Sequence, residues 1–290
     1  MKDYMYLALA TAEGVRGYAA STTHLVEEAR LRHNTAPTAT VALGRALTAA
    51  ALMGGLLKVG QRVAMKWEGD GPLGKIVVEA DSNGSLRGYA AQPAVDLPLA
   101  NGEQDVAAAV GQEGLLTVVR DLGLAELAEG TVALATGDIA GDMAYFLEQS
   151  DQVATAVEIG VSLNEDGSVA AAGGILIQPL PPYEAGAVER LKERLQEMPP
   201  VTALLAEGQK PEAILDETFR GLKHSMLAKY PVRFQCNCSL ERTREALISL
   251  GREELEALLA NEGQAVVTCH YCGNEYVFSA EALQEMIAAL

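Results

Sequence analysis

All four cysteines of this 290-residue chain lie in its last fifth, as Cys236-x-Cys238 in FQCNCSL and Cys269-x-x-Cys272 in VTCHYCGNE. Thirty residues separate the pairs. Two closely spaced pairs joined by one loop can converge on a single tetrahedral ion, and zinc is the metal that four soft thiolates favour. The surroundings suit such a centre. Gly273 follows the last cysteine, where the chain must turn, and VVTC and EYVF can pair as a hairpin beneath the metal. Ser239 and Ser279 stand where a hydroxyl caps the helices expected in SLERTREALISL and SAEALQEMIAAL. A module of about 60 residues, 231–290, buries little on its own, so ligation at Cys236, Cys238, Cys269 and Cys272 would supply much of its folding free energy.

The C-x-C pair points to something less inert than a structural ribbon. A disulfide across one intervening residue closes a tight ring with poor dihedral geometry and should be easily reduced. Arg233, Arg242 and Arg244 crowd the pair and would favour thiolate, the form that oxidants attack. Each cysteine also has a neighbour ready to resolve a sulfenic acid. Two other readings stand beside a redox switch. A constitutive structural zinc protein needs nothing beyond the four ligands. A thiol–disulfide oxidoreductase would place its cysteines at a helix N-terminus in a βαβ setting, whereas these fall at hairpin turns. The histidines at 24, 33, 224 and 270 show no ligand spacing among themselves, although His270 is placed to tune the thiolates.

Charge restricts the partners. With 22 Lys+Arg against 39 Asp+Glu the chain carries −17, which repels nucleic-acid phosphates and anionic lipid. The cysteine module is no exception, having four Arg and no Lys against nine Glu over 231–290. Neither nucleic acid nor membrane is expected as a partner. YMYLALATA (4–12) is expected as a strand rather than a leader, because its n-region is short and contains Asp3. VALGRALTAAALMGGLL (41–57) is expected as a buried helix, being Ala/Gly-rich, short for a span and interrupted by Arg45. These features place the chain in the cytoplasm, where thiols stay reduced and clustered cysteines serve as ligands or sensors.

The pattern predicts an α+β protein in three parts. Residues 1–180 form a large domain with antiparallel sheets. VAMKWEG (63–69), KIVVEAD (75–81) and SLRGYAA (85–91) make a meander, and 153–163 with 168–180 make a hairpin around NEDG. A helix over 138–152 lies between them, with Ile139, Met143, Phe146 and Leu147 on one face. Residues 181–230 form a helical linker cut by five prolines. Its segments AVERLKERLQEM (187–198) and PEAILDETFRGL (211–222) are amphipathic but too short to persist alone in water, so their folding depends on docking. Residues 231–290 are the small zinc-binding domain with its four cysteine ligands.

Taken together, C-N-C-S, C-H-Y-C and the run YFLEQSDQVATAVEIG followed by GGILIQPLP resemble the redox-regulated thirty-three-kilodalton heat-shock protein family, the bacterial 33 kDa chaperonins, over essentially the full length. The resemblance implies an ATP-independent chaperone rather than an enzyme, silent while reduced and bound to one Zn²⁺. It further implies that oxidants pair Cys236 with Cys238 and Cys269 with Cys272, that zinc is lost and the linker unfolds, and that a homodimer then holds unfolding client proteins. The residues that grip clients are not fixed by the resemblance. Candidates are the apolar faces of the linker at Leu191, Leu195, Ile214, Phe219 and Leu222.

Overall fold

A computed structural model describes residues 2–290, and the chain forms two compact units, Met1–Gln235 and Cys236–Leu290. The first unit begins β1 (Tyr4–Ala10), β2 (Val15–Ser21), α1 (Thr23–His33), α2 (Pro37–Gly54), β3 (Arg62–Gly69), β4 (Lys75–Asp81) and β5 (Ser85–Ala90). It continues with α3 (Val106–Val110), β6 (Gly114–Asp121), β7 (Ala128–Ala133), α4 (Ile139–Gln149), β8 (Ala156–Leu163) and β9 (Val169–Pro179). The helices α5 (Ala187–Glu197), α6 (Val201–Ala206) and α7 (Pro211–Thr218) follow, and then the strands β10 (Ser225–Pro231) and β11 (Arg233–Phe234). The second unit holds α8 (Leu240–Ile248), α9 (Arg252–Glu262), the strands β12 (Ala265–Thr268) and β13 (Glu275–Phe278), and α10 (Ala280–Ala289).

Two sheets organise the first unit. One has five strands in the order β10-β1-β2-β9-β8, all antiparallel. The other has six, β11-β5-β4-β3-β6-β7, and only the short β11 runs parallel to its neighbour. The expected meander is β3-β4-β5 and the expected hairpin is β8-β9. Helix α2 packs on both sheets and is buried all round, as an apolar helix without a polar face must be. Pro37 starts it at a position where a missing N–H costs nothing. Its alanines let the sheets approach closely, and Arg45, its only charged residue, pairs with Asp138 at the α4 N-cap at 2.5 Å.

The other face of the five-stranded sheet is covered by α5, α6 and α7. Val188, Leu191 and Leu195 of α5, Val201 and Leu204 of α6, and Ile214 and Leu215 of α7 pack with Phe219 on Ala8, Val15, Ala19, Ile175 and Ile177. Each large aliphatic buried this way contributes roughly 1.5–3 kcal/mol, which stabilises helices that their own hydrogen bonds could not hold. Helix α7 is shorter than the amphipathic pattern over 211–222. It ends at Thr218, and Phe219 swings onto Gly17 of β2. Residues 225–231 do not continue the helical texture. Met226, Ala228 and Tyr230 alternate with exposed neighbours, a period of two, and the segment joins β1 as an edge strand.

A Cβ at Gly17 would lie 2.6 Å from Phe219 Cε2, so Gly17→Ala must displace the aromatic that seats α7. We expect it to cost about 1–3 kcal/mol by overpacking, measured by denaturant unfolding. Proteolysis should then rise first between residues 187 and 222; a variant as stable as the parent would show that Phe219 does not depend on this gap.

Candidate metal centre

In the second unit the hairpin β12-β13 pairs Ala265 with Phe278 and Thr268 with Glu275, which leaves Cys269–Asn274 as its turn. Within that turn Cys269 N–H donates to the Asn274 carbonyl at 2.8 Å, while Cys272 N–H and Gly273 N–H both donate to the Cys269 carbonyl. Gly273 adopts φ 72°, a left-handed conformation open to glycine at little cost. The backbone N–H groups of Tyr271 and Asn274 point at the sulfurs of Cys269 and Cys272. The first pair is set by the capped start of α8, where Ser239 Oγ accepts from Arg242 N–H at 3.2 Å. Arg242 Nη1 in turn donates to the carbonyl of Asn237, between the two cysteines.

This scaffold brings all four predicted ligands together. Their sulfurs lie within 4.8 Å of one another, with Cys236 Sγ 3.8 Å from Cys269 Sγ and Cys238 Sγ 3.3 Å from Cys272 Sγ. A metal–sulfur bond of about 2.3 Å sets the edges of a tetrahedron at about 3.8 Å, so the cluster fits a metal ion with little adjustment. Burial pushes the thiols of Cys269 and Cys272 above the ordinary cysteine value, Cys272 the further. It makes ligation a proton-releasing event at this second pair. Arg233, one of the arginines flanking the first pair, hydrogen-bonds Gln235 and Ser85 in the first unit.

One further contact was hidden in the sequence. Tyr276 O–H donates to Cys238 Sγ at 3.1 Å, a hydrogen bond to a ligand sulfur from a residue that an apolar hairpin pattern marks only as packing. The candidate client-gripping residues are not in this unit. Leu191, Leu195, Ile214 and Phe219 are buried on the five-stranded sheet and Leu222 is partly buried against the same cluster. Two of the histidines have partners within the first unit: His224 bonds Asp216 at 2.8 Å and His24 bonds Asp3 at 3.3 Å.

The Hsp33 protein family model matches residues 3–279. The chain belongs to the Hsp33 family. The 33 kDa chaperonin of Geobacter sulfurreducens is 48% identical over 284 residues, covering 98% of this chain and 94% of that protein. That of Bacillus subtilis is 41% identical over 283 residues, covering 97% of each. The crystal structure of the 33 kDa chaperonin from Thermotoga maritima superposes with a TM-score of 0.92 at 35% identity, covering 99% of this chain and 98% of that one. Hsp33 membership makes this a chaperone with a cysteine cluster able to hold a metal, on the mixed α+β architecture expected. No helix among the described residues is long and apolar enough to cross a membrane.

Because the buried thiols must lose protons to bind metal, apparent metal affinity should fall as pH falls, about tenfold per pH unit for each proton displaced. Chelator competition across neutral pH checks this, and a flat profile would contradict it. Tyr276→Phe should weaken binding about 10–100-fold without changing the number of metal ions bound.

Proposed function

We propose that this Hsp33 chain is a redox-switched, ATP-independent holdase. It is inactive when reduced and metal-bound, and it is switched on by oxidants to hold unfolding proteins in the cytoplasm. The observation that carries the reading is the convergence of the four sulfurs from two separate segments, one of which is the labile C-x-C. Zinc is the ion we assign to them, one per chain, and when bound it supplies four bonds that tie the start of the second unit to its hairpin. The chain's own residues do the rest. Cys236 with Cys238, and Cys269 with Cys272, each give up two electrons to one peroxide, which takes two protons from solvent, in place of those released on ligation, and leaves as two waters, and each pair closes as a disulfide. Four sulfurs so occupied have no thiolate left for ligation.

What oxidation removes is support. The second unit buries only Leu247, Leu255, Ala265, Phe278, Leu283 and Met286 in its core and would open without the tie. We assign residues 181–230 as the metastable segment that follows, and Leu191, Leu195, Ile214, Phe219 and Leu222 as the apolar surface then offered to clients. The domain limits 1–180, 181–230 and 231–290 belong to the same proposal, as does a homodimer in the oxidised state. Nothing in the acidic second unit offers phosphates a basic face, so nucleic acid is not a partner. The chain is assigned no catalytic turnover.

The purified reduced protein should bind one zinc and fail to suppress aggregation of a heat-unfolding client. Peroxide with mild warming should discharge the metal and switch suppression on. Continued aggregation after complete metal loss would refute the switch. Cys236→Ser separates the other readings, because a constitutive zinc protein would lose stability with no oxidant-dependent gain in either form, and an oxidoreductase would reduce disulfide substrates with turnover.

A further inference from the structure

Strand β8 closes one edge of the five-stranded sheet, and the register of its neighbour shows which of its peptide groups face outward. Ala172 of β9 donates its N–H to Thr23 Oγ1 at 3.0 Å, and its carbonyl accepts from Thr22 N–H at 2.8 Å, so its peptide groups turn away from β8. The alternate residues Gly173, Ile175 and Ile177 therefore bond Gly160, Glu158 and Ala156. That leaves the N–H and C=O groups of Val157, Ile159 and Val161 directed outward, and among the described residues none of them has a partner. These are not groups bathed in open water. Ile159 is 7% exposed and Val161 9%, both line a cavity of about 730 Å³, and Val157 is half-buried. Unpaired peptide groups in a recess are costly and invite another backbone.

The walls say what kind of backbone. On one side stand Val41 and Arg45 of α2 with Leu99, which is 58% exposed; on the other stand Pro200 and Thr202 at the start of α6. Glu158 fixes that second wall by accepting from Val201 N–H at 2.7 Å. Arg45 spends Nη1 on Asp138, and its Nε is buried without a partner. At the hairpin end the rim is acidic, with Glu103, Glu165 and Asp166. We propose that the outer edge of β8 is a docking strand that takes an extended segment of an unfolding client, with apolar side chains toward Val41 and Leu99 and a basic one toward the acidic rim. A second copy of this chain is the poorer occupant, because its own β8 lies recessed between the same two walls. A single extended chain is slim enough to enter, lie one strand spacing from β8 and continue the sheet.

This inference rests on the chaperone reading, and its test keeps the two apart. Residue-resolved amide exchange is followed on the full-length oxidised chain, with and without a short blocked peptide alternating valine with lysine and threonine. At about nine-tenths occupancy the amides of Val157, Ile159 and Val161 should slow about tenfold, while those of Glu158 and Gly160, already bonded to β9, should not change. Val157→Pro, which removes one outward N–H at an edge position that tolerates proline, should weaken the effect, and an N-methylated peptide should abolish it. Client aggregation is measured on the same samples. Suppression without protection at β8 overturns the docking strand and leaves the chaperone reading standing. Protection at β8 without any suppression overturns the client as its occupant along with that reading. Protection that appears on raising the protein concentration alone assigns the edge to a second copy and also overturns the proposal.

Discussion

The sulfurs of Cys236, Cys238, Cys269 and Cys272 lie within 4.8 Å of one another in a unit whose buried apolar core is six side chains, and a metal held by the four would offset so small a core. A hairpin of two four-residue strands and three helices of nine to eleven residues would each be marginal in water. Bringing four thiols together adds to the cost, because burial raises the thiols of Cys269 and Cys272 and holds them protonated until a metal displaces the protons. The proposed switch uses this arrangement as a conditional one, which four metal–sulfur bonds would stabilise and which would be poorly supported with those sulfurs otherwise engaged.

A second conditional element lies in the first unit. Helices α5, α6 and α7 have eleven, six and eight residues, and their apolar side chains all rest on one sheet face. Pro199-Pro200 and Gly208–Pro211 break the segment, so no helix lends length to the next. Their stability is collective. Losing Phe219 from its place against Gly17 removes an anchor from α7 and exposes part of the surface on which α5 and α6 depend. By contrast α2, buried between two sheets, has no route to solvent short of unfolding the unit.

Much of this could be read from residue order, for identifiable reasons. The four ligands were evident because thiol pairs at such spacing have few other uses, and the α5 face was evident because Val188, Leu191 and Leu195 recur at helical spacing. Strands β6 and β7 were not anticipated, since AEGTVA is mostly exposed and carries no clean alternation. Strand β10 did carry one, in SMLAKYP, but it follows two helical segments, and only pairing with β1 decides its conformation. The Tyr276 hydrogen bond to Cys238 depends on a fold that brings residues 38 apart together, which no local pattern encodes.

The position of β10 bears on how one conditional element reaches the other. The covalent path from Cys236 back to α7 runs through β11 and β10, and β10 is an edge strand with a register shift opposite Leu7 and Ala8. Its Lys229 places Nζ 3.6 Å above the ring of Tyr4 in β1. The same tyrosine donates its O–H to Glu212 of α7 at 2.8 Å. One β1 side chain thus contacts both the strand that leads to the cysteines and the last helix before them in sequence. An edge strand of half-exposed residues is held by one ladder only, so in the proposed switch tension arriving from the C-terminal side would meet β10 first. If β10 lifts, Tyr4 loses the cation over its ring, and α7 keeps the Glu212 contact, the Arg194 hydrogen bond to the Thr218 carbonyl and its apolar face. In the switch we propose, loss of the C-terminal unit would loosen α7 by way of a strand rather than by direct unwinding of a continuous helix.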